Sequence, residues 1–243
     1  MEYKYPYNKD LDNSNSEKND FKMIKFEHVE PRDIERRSME IIREELSRRG
    51  VKLPETEASV IERCIHTSAD FDYYENLVFS ANAVERMRAA LSAGATIVTD
   101  TEMAKAGISK VVTAKHGCEL RCFMSDPEVA SEAKKRGVTR ATVSMEKASI
   151  LSKQFPNIIF AIGNAPTALI ELERLIREEN LRPAGIIAVP VGFVNVVEAK
   201  ELIWELRNSE EYKYIPLIVA RGRKGGSNIA AAIVNSLLYG IAD

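Results

Sequence analysis

Five short aliphatic runs, at residues 95–99, 121–124, 158–162, 185–189 and 216–220, alternate with segments of helical periodicity. No other feature restricts the fold of this chain so strongly. Most of the runs lack polar alternation, the pattern of strands covered on both faces. The segments between them carry apolar stripes. Ala165, Leu169, Leu172 and Ile176 form one; Val196, Ala199, Leu202, Ile203 and Leu206 a second; Ile229, Ile233 and Leu237 a third. Strands separated by helices require right-handed crossovers, which make neighbouring strands parallel. The expectation is an α/β protein of three layers, α/β/α, with a five-stranded parallel sheet.

Three further helices precede the runs. The first is opened by Pro31-Arg32-Asp33 and stopped by Gly50, with Ile34, Ile41, Ile42 and Leu46 as its apolar positions. Its stripe also passes through Ser38, a polar gap on the inward face. The second spans residues 56–69, with Ile61, Cys64 and Ile65 on its apolar side, and the third spans 78–93. These helices either cover the sheet or reach a partner subunit. Residues 10–20 hold Leu11 as their only aliphatic side chain, too little apolar area to offset ordering entropy. Residues 1–22 therefore read as a flexible polar tail and 23–243 as one domain.

Composition excludes several functions. Lys plus Arg number 34 and Asp plus Glu 36, a formal net charge of −2. A protein that coats nucleic acid is normally basic, although a balanced total leaves room for a local basic pocket. Three cysteines, Cys64, Cys118 and Cys122, are odd in number and too few for a disulfide framework, which points to reduced thiols and the cytoplasm. The first ten residues contain no apolar signal core. The most apolar stretch, residues 186–197, is broken by Pro190, Gly192 and Asn195 and is too short to span a bilayer.

In an open parallel sheet, ligands bind beyond the carboxyl ends of the strands, and the unusual residues collect at those ends. Thr99-Asp100-Thr101-Glu102-Met103 follows the first run, Gly163-Asn164-Ala165-Pro166-Thr167 the third, and Pro190-Val191-Gly192-Phe193-Val194-Asn195 the fourth. Arg221-Gly222-Arg223-Lys224-Gly225-Gly226-Ser227 follows the last. Glycines there admit close backbone approach, a helix start presents free N–H groups, and Arg221, Arg223 and Lys224 add full charges. The combination is an anion site, though its spacing is neither a P-loop nor a dinucleotide fingerprint; a solvated basic turn is the plainer alternative. Asn164 and Pro166 suit a helix N-cap and first turn, which accounts for them equally well without a ligand. Several helix starts on one rim favour a ligand with several negative groups.

His66 is the candidate for proton chemistry. If its helix continues, Glu62 and Asp70 are its four-apart neighbours, and nearby carboxylates favour the imidazolium. A structural hydrogen bond is the competing role. His116, Cys118 and Cys122 lack the paired spacing of a zinc site, and no nucleophile elbow is present. No metal ligand set is expected, and His28 has no motif around it.

Taken in order, Ile34-Glu35-Arg36-Arg37-Ser38, Cys64-Ile65-His66-Thr67-Ser68-Ala69-Asp70 and the four rim segments resemble the precorrin-8X (cobalt-precorrin-8) methylmutase family. The resemblance runs from about residue 23 to 238. It implies a flavodoxin-like fold, a homodimer and an isomerase of cobalamin biosynthesis that shifts a methyl group from C-11 to C-12 of a corrinoid, without consuming a cofactor. Any cobalt belongs to the substrate. It places the catalytic histidine at His66 and a substrate-contacting serine at Ser38. Many relatives carry Tyr where this chain has Glu35. With this substrate, Asp100, Met103, Asn164, Arg221, Arg223, Lys224 and Gly225 become the expected binding residues. The cations meet carboxylate arms, and Met103, Val191 and Phe193 meet the flat ring. Competing readings are a non-catalytic tetrapyrrole carrier, a nucleotide- or flavin-using enzyme on the same rim, and a basic-loop RNA binder. The last is disfavoured because aromatics are not interleaved around residues 221–224.

Overall fold

The computed structural model describes residues 27–241; the expected tail at 1–22 lies outside them. After a single 3-10 turn come helices α1 (Ile34–Arg48), α2 (Glu55–Ser68) and α3 (Tyr73–Asn76), strand β1 (Leu77–Phe79) and helix α4 (Ala83–Ser92). Next are β2 (Thr96–Thr99), α5 (Glu102–Gly107), α6 (Lys110–Lys115), β3 (Glu119–Cys122), α7 (Pro127–Arg136) and α8 (Arg140–Ser152). The chain continues through β4 (Ile158–Ile162), α9 (Pro166–Glu178), β5 (Gly185–Ala188), α10 (Val196–Trp204), β6 (Leu217–Ala220) and α11 (Ser227–Tyr239).

The sheet has six strands in the order β1-β6-β5-β4-β2-β3. Five are parallel, as expected from the aliphatic runs. The sixth corrects the expectation: Leu77-Val78-Phe79, whose last two residues were expected to start a helix, pairs antiparallel with β6, Val78 opposite Val219. Two β-favouring residues in a row and a half-buried edge position outweigh the helical pattern there. Ser80 then closes the pair, its Oγ accepting the Leu217 N–H at 2.8 Å. The helix begins only after Asn82, which adopts a left-handed conformation.

Strand periodicity sorts the core into two. Ile159 and Ala161 of β4 face α1, α2, α4 and α11, together with Ile97, Ile187 and Ile218. Ile158, Phe160 and Ile162 face the opposite side, packed with Leu169, Leu172, Ala199 and Ile203 of α9 and α10. Each fully buried side chain of this size contributes about 1.5–3 kcal/mol. The result is a sheet with helices on both faces, and all five parallel strands end on one rim.

Candidate functional site

The rim is stitched together by its own polar groups. Asp100, at the end of β2, is fully buried. One carboxylate oxygen accepts the Gly163 N–H at 2.8 Å, and the other accepts those of Asn164 and Ala165 at 2.8 and 2.6 Å. The first residues of the β4–α9 turn thus point their N–H groups at an internal anion. Burial pushes the Asp100 carboxyl up from its ordinary value, and the three N–H donors pull it back in part. This changes two sequence readings. Asp100, expected to bind substrate, faces inward and shapes the turn. Ala165, not Asn164, is the N-cap of α9, with no side-chain cap of its own; Asn164 stands exposed on the rim.

Gly163 explains how this turn meets the basic loop. A Cβ there would stand 2.7 Å from Ser227 Cα and 2.8 Å from the Gly226 carbonyl oxygen. Nearby, Thr101 Oγ1 and Ser227 Oγ lie 2.7 Å apart, and Thr101 also caps α5 through the Ala104 N–H at 3.0 Å. Gly225 serves clearance as well: a Cβ would fall 2.0 Å from the Val189 carbonyl oxygen.

The three cations of the basic loop are not equivalent. Arg221 forms a bidentate pair with Glu201, at 2.8 and 2.7 Å. Lys224 meets Asp70 at 2.6 Å and also Asp72. Its proximity holds the Asp70 carboxyl below the usual range. Arg223 makes no ion pair among the described residues; its guanidinium lies 5.4 Å from the centre of the Phe193 ring. Of the three full charges expected there, one has no acidic partner among the described residues and two are engaged by acids that the sequence reading had not paired with them. Around the loop, Met103, Phe193 and Val194 are largely exposed and Val191 about half exposed, an apolar rim beside the charges.

Lys200 was missed. This side chain of α10 is fully buried, and its ammonium donates to the carbonyls of Gly222 and Lys224, both at 2.8 Å. Burial pushes its pKa down to about 8. The signal was legible in spacing: Lys200 lies four residues after Val196 and three before Ile203, inside the apolar stripe. A lysine there must find acceptors within the protein, and the loop supplies them.

His66 is exposed in the last turn of α2. The helix does not continue, because Ala69 turns left-handed (φ 55°). Asp70 is consequently turned to Lys224, and Glu62 grips Arg43 at 2.9 and 2.8 Å. Neither carboxylate expected beside His66 is available to it. What the turn accomplishes is to fasten the His66 end of α2 to the basic loop. Ser38 is half-buried and donates to Ile34 O of its own helix at 2.9 Å; among the described residues no hydrogen bond joins it to the rim. Cys118 points to the Leu91 carbonyl at 3.1 Å. Among the described residues, no three His, Cys, Asp or Glu side chains converge as a metal would need.

Fold and site together define a class: a mostly parallel α/β protein whose strand ends present a loop of glycines and cations and an exposed apolar edge, with a histidine at the end of the helix fastened to that loop. The model of the precorrin-8X methylmutase family matches residues 33–240. The cobalt-precorrin-8 methylmutase of Salmonella typhimurium is 44% identical over 181 residues, covering 74% of this chain and 80% of that protein. The precorrin-8X methylmutase of Sinorhizobium is 36% identical, covering 83% and 90%. The crystal structure of precorrin-8x methyl mutase from Thermus thermophilus superposes with a TM-score of 0.75 at 36% identity, covering 86% of this chain and 95% of that one. This chain belongs to the precorrin-8X methylmutase family.

Proposed function

We infer that this chain is an isomerase of cobalamin biosynthesis that moves a methyl group from C-11 to C-12 of precorrin-8X or cobalt-precorrin-8, giving hydrogenobyrinate or cobyrinate. The observation that carries the reading is family membership over nearly the whole described chain, with His66 exposed beside a rim suited to a flat polyacid. The shift is intramolecular: the bond from the methyl carbon to C-11 breaks as that to C-12 forms, and no atom is gained or lost. No cofactor is consumed, and cobalt, where present, is part of the substrate.

The macrocycle lies against Met103, Val191 and Phe193. Arg223 takes a carboxylate arm first, because it is unpaired; Lys224 follows by exchanging Asp72 for the substrate. Asn164 adds a neutral polar contact. His66 donates a proton to the conjugated ring system and recovers it afterwards, favouring the tautomer in which the methyl shift is easy. General acid assistance of this kind is worth about 10²–10⁴-fold, and holding one reactive geometry supplies the rest. Asp100, Gly225 and Lys200 shape the turns that carry these contacts.

The five parallel strands, numbered among themselves, run 2-1-3-4-5, which supports a flavodoxin-like assignment with the substrate at the β2/β4 switch point. Exposed Ile34 and Ile41 support a homodimer. No helix among the described residues is long and apolar enough to cross a membrane, and the three unpaired cysteines suit the cytoplasm.

The test is His66→Ala, assayed by the visible absorbance change of the corrinoid. Product binding stays within about threefold while turnover falls by about 10²–10⁴. Unchanged turnover removes His66 from the mechanism.

A further inference from the structure

Along the middle of α2 lies a hollow of about 200 Å³, lined by Met39, Arg43, Arg63, Arg88, Glu62 and Tyr239 among others. Three guanidinium groups from three helices line it, together with the Glu62 carboxylate. Arg43 is held by Glu62, and Arg63 by Glu35 at 2.6 Å. Arg88 differs. Among the described residues it has no acidic partner, its Nη2 donates to Ser59 Oγ at 3.0 Å, and its buried Nε has no hydrogen-bond partner. Gly240 keeps the space for it, since a Cβ there would fall 2.2 Å from Nη2. A buried donor without an acceptor is costly, and a cation with no anion beside it more so. A ligand carboxylate would relieve both.

The position of the hollow identifies the ligand. Residues 59, 62 and 63 line it, and 66 is the next position on the same face of α2. Met39, beside Ser38, lines it from α1. His66 therefore stands one turn beyond the hollow along α2, and Asp70 ties the chain just after it to the basic loop. The volume is below the roughly 300–1,000 Å³ of a pocket that encloses a whole ligand, so it suits one arm of a larger molecule.

We propose that this hollow is an oxyanion site that receives one peripheral carboxylate of the corrinoid lying over His66, so that the substrate is held by cations on both sides of the proton donor. The assignment rests on the function inferred above. It makes Arg88 a binding determinant remote from the strand-end rim.

The experiment titrates the full-length protein with the corrinoid polyacid product and with the same corrinoid carrying amides in place of its peripheral carboxylates. Arg88→Gln weakens the acid about tenfold to a hundredfold, the worth of a charge-assisted hydrogen bond or two, and leaves the amide form unchanged. KM for the substrate rises in parallel while kcat stays within about threefold, and Arg88→Lys recovers part of the loss. Equal weakening of acid and amide, or acid binding indifferent to a folded Arg88→Gln protein, overturns the proposal. If Arg88→Gln does not fold, Arg63→Gln must show the same acid-selective loss, and its absence overturns the proposal too. Inorganic phosphate is the probe for a free-anion site: phosphate that binds through Arg88 without competing with the product also overturns it. A wild-type protein that binds no corrinoid removes the proposed function itself, an outcome distinct from the loss of this site alone.

Discussion

The ammonium of Lys200 donates to the backbone carbonyl of Lys224 at 2.8 Å from inside the molecule, so the loop that presents Lys224 outward is held from beneath. A second bond to Gly222 O fixes the same loop two residues earlier. Lys200→Met keeps the stem and removes both bonds. The expected outcome is a loss of about 2–3 kcal/mol in urea unfolding, from two carbonyls left without donors, and a KM raised about tenfold with a smaller fall in kcat.

Lys200 also makes stability depend on pH in a definite direction. Its folded pKa, about 8, lies below the ordinary lysine value of 10.5. Between the two, the unfolded chain binds more protons, so this residue's contribution rises with pH. It is fully present above 10.5 and lost as pH falls through 8. Unfolding free energies of wild type and Lys200→Met should therefore diverge from pH 8 to 10.5, the wild type gaining; parallel curves would show that Lys200 does not titrate there.

Asp100→Ala leaves the buried N–H groups of Gly163, Asn164 and Ala165 without their acceptor. About 3 kcal/mol or more of stability should be lost by chemical denaturation. Asp100→Asn keeps one oxygen and should lose less, about 1–2 kcal/mol. Because Asp100 is buried beneath the turn, product affinity measured on the folded Asn variant should change less than threefold.

Asp72→Asn removes one of the two acids that neutralise Lys224 and leaves Asp70 to position it. Product affinity should rise several-fold in low salt, and the gain should shrink as salt screens it. Titration of the corrinoid product at two ionic strengths checks both statements. The pair is partly exposed, so stability should move by no more than about 1 kcal/mol.

Gly163→Ala and Gly185→Ala differ in what the new methyl group meets. At Gly163 it meets the backbone of Ser227 and Gly226, whereas at Gly185 it meets the side-chain end of Met87. Backbone in a packed turn has little room to yield, and a methionine rotates. Thermal denaturation should rank Gly163→Ala as the more damaging, by about 1–2 kcal/mol.

The amino-acid sequence by itself determined the five parallel strands, the amphipathic helices and the rim where the unusual residues gather. These are local periodicities, and burial on two faces leaves a mark every second or every third to fourth residue. It also determined His66 and the basic loop as candidates, since side-chain chemistry is written in residue type. Only the tertiary structure decided who partners whom. Val78 reads as helical until β6 offers it an edge. Asp100 reads as a ligand-binding acid until three N–H groups from another strand's turn surround it. Arg221 and Lys224 read only as cations of an anion site until Glu201, Asp70 and Asp72 arrive from distant elements. Hydrogen bonds and ion pairs of this kind join residues up to 177 positions apart in the chain, and no periodicity encodes such a distance. The energy that selects them comes from burial, which exists only once the sheet and its helices have closed.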